Sequence, residues 1–317
     1  MDTSKPNDVK TEYSFKPRRM LGRTCFRATL LGIGDLADRN IALDICVETV
    51  RRALDAGLNV IDTAPGYEDG YSEEIVGRAI KGRREGIFVI DKIDHPDQPV
   101  AQQIDGSLRR LQMDMVDLFV IHGLSTIAGW EQAIMHDGVF DQLEKCRADG
   151  KLRFRGISSH NPEMLELAIR SNLCDVVMFA VGPYCDRRYY ENILPLARQH
   201  NVGTVCFKTF GAGKLLGDTT GYGKALERRP RGKFSSGGHE QKGVNFLPHL
   251  TVCECVHHTL TCDPDVTLLG LSFPNEQDAA FSAAVNFKPL SLQQLTDIRN
   301  RATLAVQGKG PCWWDPP

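Results

Sequence analysis

Short apolar runs alternate with helix-patterned stretches along most of this chain, and this alternation restricts the possible folds more than any other feature. Eight runs have the length and composition of buried parallel strands. They cover residues 29–34, 59–62, 87–90, 116–121, 152–157, 176–181, 204–207 and 266–269. The helix-patterned segments between and after them cover residues 45–56, 72–80, 100–111, 139–148, 162–169, 190–199, 246–260 and 276–284. Eight such pairs in one chain favour a closed (β/α)8 TIM barrel over an open doubly wound sheet.

The barrel is expected to form one domain over residues 20–317, preceded by a polar lead-in over residues 1–19. This domain is expected to end with an extra helix over residues 290–305 and an irregular tail. Residues 211–244 interrupt the alternation after the seventh strand and are rich in Gly, Lys and Arg. A loop of this length is typically functional or disordered, and both interpretations stay open.

Composition excludes several classes of function. The net charge of −2 gives no sign of a nucleic-acid or anionic-membrane partner. No stretch approaches ~18 consecutive apolar residues, and the first residues lack the apolar core of a signal peptide. Ten cysteines without such a signal predict reduced thiols. We therefore expect a cytoplasmic protein that acts on a small molecule; the oligomeric state is not specified by the sequence.

One cluster of cysteine and histidine residues raises the question of a metal site. On a helix, Cys253 and His257 share one face, while Cys255 and Cys262 lie on another. Metal ligands must converge on one point, so helix packing is the better interpretation and no metal site is predicted.

Titratable residues stand where three of the predicted strands end. Asp62, Lys92 and His122 close three successive apolar runs, and Tyr67 lies five residues beyond Asp62. The carboxyl ends of parallel strands meet at one mouth of a barrel, so we expect these side chains to converge there. Taken singly, each also fits a structural role, such as a loop cap, a solvated lysine or a core histidine.

Together these four residues form a proton-transfer set. A phenol has a reference pKa of about 10, and a nearby ammonium favours its ionised form. Tyr67 beside Lys92, with Lys92 paired to Asp62, can give a proton to a developing alkoxide. His122 can donate a hydrogen bond to the same oxygen and orient a carbonyl. The set supplies no reducing equivalent, so a hydride must come from a cofactor.

The motifs around these residues resemble the aldo-keto reductase superfamily. They are DTAPGY (62–67), SEEIVG (72–77), DK (91–92), VDLFVIH (116–122), GKLR (150–153) and GISSH (156–160), in the family's order and approximate spacing. The resemblance implies a (β/α)8 enzyme that interconverts an aldehyde, ketone or sugar carbonyl and its alcohol, with NADPH or less often NADH. It makes Tyr67 the general acid, Lys92 and Asp62 the residues that tune it, and His122 the residue that orients the substrate.

The same resemblance implies a set of nucleotide contacts. Those expected near the nicotinamide are Ser158, Ser159, Met178 and Phe207; those near the pyrophosphate are Lys208, Gly211, Gly213 and Leu215; those near the adenosine are Gly270, Ser272, Asn275 and Gln277. The last segment contains no Arg or Lys for a 2′-phosphate, so the preference for NADPH rests on the family alone.

Aromatic residues near the mouth are candidates for the substrate pocket. They are Trp130, Tyr184 and Trp313, although aromatic residues also anchor loops and tails without touching a ligand. Two other functions compete with a reductase. One is a regulatory protein that binds nicotinamide nucleotide as a sensor with little turnover. The other, less favoured, is a metal-dependent barrel hydrolase, which would need a His-x-His pair where residues 32–34 read Gly-Ile-Gly.

Overall fold

Eight parallel strands close into a barrel in the computed structural model, which describes residues 12–216, 248–271, 274–309, 312 and 314. The barrel strands are β3 (Leu31–Ile33), β4 (Val60–Asp62), β5 (Phe88–Ile93), β6 (Val116–Ile121), β7 (Leu152–Ser158), β8 (Val176–Ala180), β9 (Gly203–Phe207) and β10 (Val266–Leu269). Each strand pairs with the next along the chain, and β10 pairs with β3 to close the ring. The predicted (β/α)8 barrel is confirmed.

The helices surround the barrel. They are α1 (Leu43–Asp55), α2 (Tyr71–Ile80), α3 (Val100–Leu111), α4 (Ile127–Ile134), α5 (Val139–Ala148), α6 (Pro162–Arg170), α7 (Leu194–Gln199), α8 (Val252–Cys262), α9 (Pro274–Val285) and α10 (Leu292–Val306). The prediction missed α4, whose N-cap Thr126 accepts a hydrogen bond from Gly129. It also began α8 too early, because the reciprocal cap between Thr251 and Glu254 starts this helix. No helix in the described ranges is long and apolar enough to cross a membrane.

A short hairpin covers the amino-terminal end of the barrel. Its strands are β1 (Arg19–Met20) and β2 (Arg27–Ala28), and its residues Leu21 and Ala28 join the apolar cluster inside the barrel. Asp263 holds this end together by accepting charged hydrogen bonds from Arg18, Arg19 and Arg198.

The later part of the polar lead-in also packs on the barrel. Phe15 donates its N–H to the carbonyl of Ala56, and its ring meets that of Phe281 edge-on at 5.2 Å. Most of the long loop predicted over residues 211–244 lies outside the described residues, which resume at residue 248. The single domain over residues 20–317 stays a prediction.

Strand register determines where the mouth of the barrel forms. Asp62 at the end of β4 is level with Ile90 of β5, and Lys92 is level with Val120 of β6. Side chains alternate along a strand, so Lys92 points to the same face as Ile90, one step nearer the mouth. The sequence positions of Asp62 and Lys92 thus place both side chains inside the carboxyl end of the barrel.

Two glycines within helices give a test of the helix packing. A Cβ added at Gly77 in α2 would lie 2.2 Å from the carbonyl oxygen of Leu111, whereas one at Gly106 in α3 would meet only the flexible ends of arginine side chains, the nearest at 3.3 Å. We expect Gly77→Ala to lower the free energy of unfolding by about 2–3 kcal/mol, because α2 must move away from α3.

Gly106→Ala is the matched control and should raise the unfolding free energy by up to about 1 kcal/mol through helix propensity. Urea unfolding of both variants measures this. Equal effects would contradict the close approach of α2 to α3.

Candidate active site

A buried ion pair lies at the mouth of the barrel between the ends of β4 and β5. The Lys92 Nζ atom lies 2.6 Å from Asp62 Oδ1 and 2.6 Å from the carbonyl oxygen of Thr63. The two charged side chains are 2% and 6% exposed, so water screens them little. Burial alone would lower the pKa of Lys92, but the Asp62 carboxylate, together with Tyr67, holds it above its ordinary value. Lys92 is therefore a fixed cation.

Tyr67 lies directly against this cation. The Lys92 Nζ atom is 4.5 Å from the centroid of the phenol ring. Burial raises the pKa of Tyr67, and the Lys92 ammonium lowers it only in part, so the net pKa lies above the usual value. The sequence argument expected the opposite net effect, because it considered the ammonium without the burial. Tyr67 keeps its proton at neutral pH and is a proton donor.

His122 completes the predicted set from the end of β6. Its N–H continues the strand ladder to Ile93, and its ring meets the Tyr67 ring edge-on at 5.8 Å. The side chain is 33% exposed, so it is open to a ligand at the mouth. The structure thus brings together all four residues that the sequence argument grouped.

A fifth residue, Asp94, belongs to the same cluster and was missed. Its Oδ1 atom lies 2.5 Å from Nδ1 of His122, and its Oδ2 atom accepts the N–H of Gly66 at 2.6 Å. His122 lowers the pKa of Asp94 against the raising effect of burial. The signal was present in the sequence: Asp94 follows Lys92 by two residues, and this spacing puts both on one face of an extended chain.

The predicted nicotinamide contacts separate into two groups. Phe207, at the end of β9, has a half-buried ring with the Lys208 ammonium 5.7 Å from its centroid and the His160 ring edge-on at 5.5 Å. Met178, by contrast, is fully buried in the apolar cluster inside the barrel. Met178 therefore has a packing role, and its predicted contact with the cofactor is not supported.

Both predicted serines hold the end of β7 to the loop after His122. The Ser158 hydroxyl accepts the N–H of Gly123 at 2.8 Å, and the Ser159 hydroxyl lies 3.2 Å from that of Ser125 and accepts the N–H of Asn161. Ser159 has no exposed surface, so its predicted contact with the nicotinamide amide is not supported.

Three of the four predicted pyrophosphate contacts, Gly211, Gly213 and Leu215, lie in a 3₁₀ segment over Gly211–Leu216, and Lys208 precedes it. The N–H group of Gly211 donates to the carbonyl oxygen of Lys208, and those of Gly213 and Leu215 donate to the carbonyl oxygen of Phe210. These three N–H groups are thus paired with nearby carbonyl oxygens, which does not support the anion contact predicted for them.

Residues predicted for the adenosine end also differ in exposure. Gly270 and Asn275 are exposed, whereas Gln277 is buried between α9 and α1. Gln277 donates to the carbonyl of Thr49 and accepts from Arg52, so it joins two helices and is not available to a nucleotide. Ser272 lies outside the described residues.

The three aromatic candidates for a substrate pocket are placed differently. Trp130 is buried in the core against Phe140 and does not reach the mouth. Tyr184 is half-buried, and its carbonyl accepts the indole N–H of Trp314 at 3.1 Å, so the tail is fastened near the carboxyl ends of the strands. Trp313 lies outside the described residues. Among the described residues, no group of three His, Cys, Asp or Glu is arranged to hold a metal ion.

Comparison with known proteins gives one consistent family. The sequence profile described as Aldo/keto reductase family matches residues 30–263. Aldo-keto reductase YhdN of Bacillus subtilis is 29% identical over 189 residues, which make up 55% of this chain and 54% of that protein. The chain spans between 54% and 63% of the lengths of the first three curated relatives that it matches.

Solved structures agree with this family over most of the chain. The holo form of an aldo-keto reductase from Bacillus halodurans has a TM-score of 0.66 at 25% identity and covers 93% of this chain and 98% of its own. An aldo-keto reductase from Klebsiella pneumoniae in complex with NADPH has a TM-score of 0.64 at 22% identity, covering 90% and 95% of the two chains. At 22% identity, the similarity to the Klebsiella pneumoniae structure supports the fold alone.

Removal of Lys92 tests the buried ion pair. Lys92→Met leaves the Asp62 carboxylate buried without its counter-ion, so we expect a loss of about 3–5 kcal/mol in the free energy of unfolding at pH 7.5. Burial already raises the pKa of Asp62, and the folded state then holds a proton that the unfolded state releases. Stability therefore falls as pH rises, and the loss should be smaller at pH 5.

Chemical denaturation at both pH values measures this effect. The control is Lys151→Met, which breaks the partly exposed pair with Asp105 and should cost about 1 kcal/mol or less. The double variant Lys92→Met/Asp62→Asn should recover part of the loss. A loss independent of pH would contradict an uncompensated carboxylate.

Proposed function

The chain belongs to the aldo/keto reductase family, and on that premise we propose that it interconverts a small-molecule aldehyde or ketone and its alcohol with a nicotinamide nucleotide. The observation that carries this proposal is the cluster at the mouth, in which the Tyr67 phenol lies over the buried Lys92–Asp62 pair and against the His122 ring. This arrangement is suited to giving a proton to, or taking one from, an oxygen on carbon.

The residues beside this cluster fit a nicotinamide nucleotide. Phe207 offers a flat, half-buried ring at a neighbouring strand end, and Lys208 supplies a cation for a phosphate group. Gly270 and Asn275 present exposed surface beyond β10 for the rest of the nucleotide. The bound nucleotide would supply the hydride that protein side chains lack. NADPH is the proposed cofactor on the family's preference, with NADH as the alternative.

The protein's own part in reduction is to receive and stabilise the negative charge on the carbonyl oxygen. The Tyr67 phenol donates its proton to that oxygen as the charge develops. The fixed positive charge of Lys92 stabilises the phenolate that remains, and Asp62 holds Lys92 in place. His122 contacts the same oxygen from the other side of the mouth and orients the carbonyl. In alcohol oxidation the same residues act in reverse.

Tyr67→Phe tests the proposed general acid. Because the hydroxyl is the proposed proton donor, we expect kcat for carbonyl reduction to fall by about 10²–10⁴-fold. The measurement is NADPH oxidation against a panel of aldehydes, ketones and sugars. Tyr190→Phe is the matched control, because that hydroxyl is buried without a hydrogen-bond partner among the described residues. The Tyr190 ring contacts His258 and Arg299 rather than the ion pair. Unchanged turnover in Tyr67→Phe would contradict the assignment.

Nucleotide titration tests the cofactor independently of turnover. Quenching of tryptophan fluorescence should give a tighter Kd for NADPH than for NADH, and Tyr67→Phe should leave both constants within about twofold of the wild type. Phe207→Ala should weaken both nucleotides by about 2–10-fold if the ring stacks on nicotinamide. Equal affinities for the two nucleotides would argue against a 2′-phosphate site. Tight binding without turnover on the whole panel would favour a sensor.

A further inference from the structure

Two acidic side chains lie buried together between β5 and α2, outside the barrel wall. Asp91 precedes Lys92 on β5, and because side chains alternate along a strand, it faces the helices and not the mouth. Glu73 lies in the first turn of α2, and neither acidic residue has any exposed surface. Burial and the neighbouring Glu73 carboxyl group raise the pKa of Asp91 well above its usual value.

The hydrogen bonds around this pair indicate which of the two groups carries a proton. Both oxygens of Glu73 accept from the guanidinium of Arg110 on α3, a bidentate contact that favours the ionised form of Glu73. Asp91 Oδ1 accepts the backbone N–H of Lys92 at 2.8 Å, while Asp91 Oδ2 is buried and has no donor among the described residues. A buried carboxylate oxygen needs a donor, whereas a protonated carboxyl group is itself a donor, and Glu73 is the acceptor beside it.

We propose that Asp91 is a positioning residue, a neutral acid whose hydrogen bond to Glu73 joins β5 to the start of α2. The strand β5 carries Lys92, and α2 follows the Tyr67 loop directly, so this bond fixes the phenol relative to the cation. The inference rests on the proposed function, in which Tyr67 gives a proton to a carbonyl oxygen beside that cation. Asp91 acts through these two residues and does not touch the substrate.

Close packing connects the buried pair to the end of the Tyr67 loop. Gly70, the residue before α2, has a φ of 81°, and a Cβ there would lie 2.6 Å from Cδ of Arg110 and 3.2 Å from Oε2 of Glu73. The loop therefore ends directly against the Glu73–Arg110 contact. A shift of Glu73 would displace the backbone only three residues beyond Tyr67.

A second buried hydrogen bond connects the same helix start to the ammonium group. The Thr63 hydroxyl donates to the Ser72 hydroxyl at 2.9 Å, and the Thr63 carbonyl accepts from Lys92 Nζ at 2.6 Å. Residues at the start of α2 thus contact both the Tyr67 loop and a hydrogen-bond partner of the cation. Movement of this helix start would disturb the phenol and the ammonium together.

The charged groups that face Asp91 come from three elements. They are Glu73 from α2, Arg110 from α3 and Lys92 from β5 itself. Phe119, at the same level on β6, is apolar. Arg110 is paired with Glu73, and Lys92 is paired with the carboxylate at the mouth, so neither cation forms an ion pair with Asp91. Loss of the Asp91 proton would leave two buried carboxylates side by side with one arginine.

This arrangement makes folding depend on pH in a defined direction. An acid whose pKa is raised by folding holds a proton that the unfolded chain releases above about pH 4. The contribution of Asp91 to stability is therefore complete at lower pH and is lost as pH rises toward its pKa in the folded state. The effect on the unfolding equilibrium is up to about tenfold for each pH unit.

Asp91→Asn and Asp91→Leu test the positioning role together. The Asn amide can donate to Glu73 while its carbonyl accepts the Lys92 N–H, so it repeats the bonds of the neutral acid without a proton to lose. We expect kcat for carbonyl reduction at pH 7.5 to stay within about twofold of the wild type in Asp91→Asn. In Asp91→Leu, which makes neither bond, kcat should fall by about 10–100-fold, while KM and the nucleotide Kd stay within about twofold.

Two further readouts need no turnover. The infrared difference spectrum between the wild type and Asp91→Asn at pH 7.5 should contain the C=O stretch of one protonated carboxyl group. In urea unfolding from pH 5 to pH 8, the wild type should lose stability relative to Asp91→Asn by at least about tenfold in the unfolding constant. Asp137→Asn is the matched control, because that exposed carboxylate is paired with Lys145, which lowers its pKa. It should remove no such band and leave kcat unchanged.

The outcomes separate this inference from the proposed function. If the wild type reduces no carbonyl in the panel, the proposed function fails, while the infrared band and the unfolding comparison still decide whether Asp91 is a neutral donor. If the band is absent from the difference spectrum, Asp91 is ionised and the inference is overturned. Equal kcat in Asp91→Asn and Asp91→Leu would overturn the positioning role. A fall of more than about tenfold in Asp91→Asn would overturn it even if Asp91→Leu does not fold.

Discussion

The site depends on a lysine and an aspartate that are almost completely removed from water. Taking two such charges out of water costs several kcal/mol for each ion, and their attraction offsets this cost only when the contact is close and the remaining hydrogen bonds are made. Lys92 meets both conditions through Asp62 and the carbonyl of Thr63. The barrel supplies the geometry, because the register of β4 and β5 puts Asp62 level with Ile90, and Lys92 is the next side chain toward the mouth on the same face of β5. The acid role proposed for Tyr67 depends on this cation, which is held 4.5 Å from the centroid of the phenol ring.

Most of the barrel and the four residues grouped at its mouth could be predicted from the sequence, because hydrophobic periodicity and strand ends are local properties of the chain. Features that depend on packing between distant segments were harder to predict from the sequence. The hairpin strands β1 and β2 have two residues each, too few for any periodic signal. Asp94 was missed because the predicted strand ended at residue 90, whereas β5 continues through Ile93 and places Asp94 beside His122.

The predicted nucleotide contacts show a second limit. A motif identifies a position in the chain, but it does not identify the face that the side chain presents or the partners already bound to it. Met178 stands at a position where the resemblance implies a nicotinamide contact, but it is buried inside the barrel. Gln277 makes its hydrogen bonds with Arg52 and Thr49. In both cases, packing against neighbouring elements takes up the side chain. Phe207 differs because it lies at the end of β9, where its ring is only half-buried.

Asp94 and Lys92 together show how one strand end positions two other side chains at the mouth. They are two residues apart on β5 and just beyond it, so both face the mouth. Lys92 acts on the phenol of Tyr67, and Asp94 acts on the imidazole of His122. The Lys92 cation lowers the pKa of Tyr67 against the raising effect of burial, and the Asp94 carboxylate contacts Nδ1 of the His122 ring. In the proposed reaction, a carbonyl oxygen at the mouth would lie beside both the Tyr67 phenol and the His122 ring, which meet edge-on at 5.8 Å. The strand that places the cation beside the Tyr67 phenol thus leads directly into the carboxylate that contacts His122.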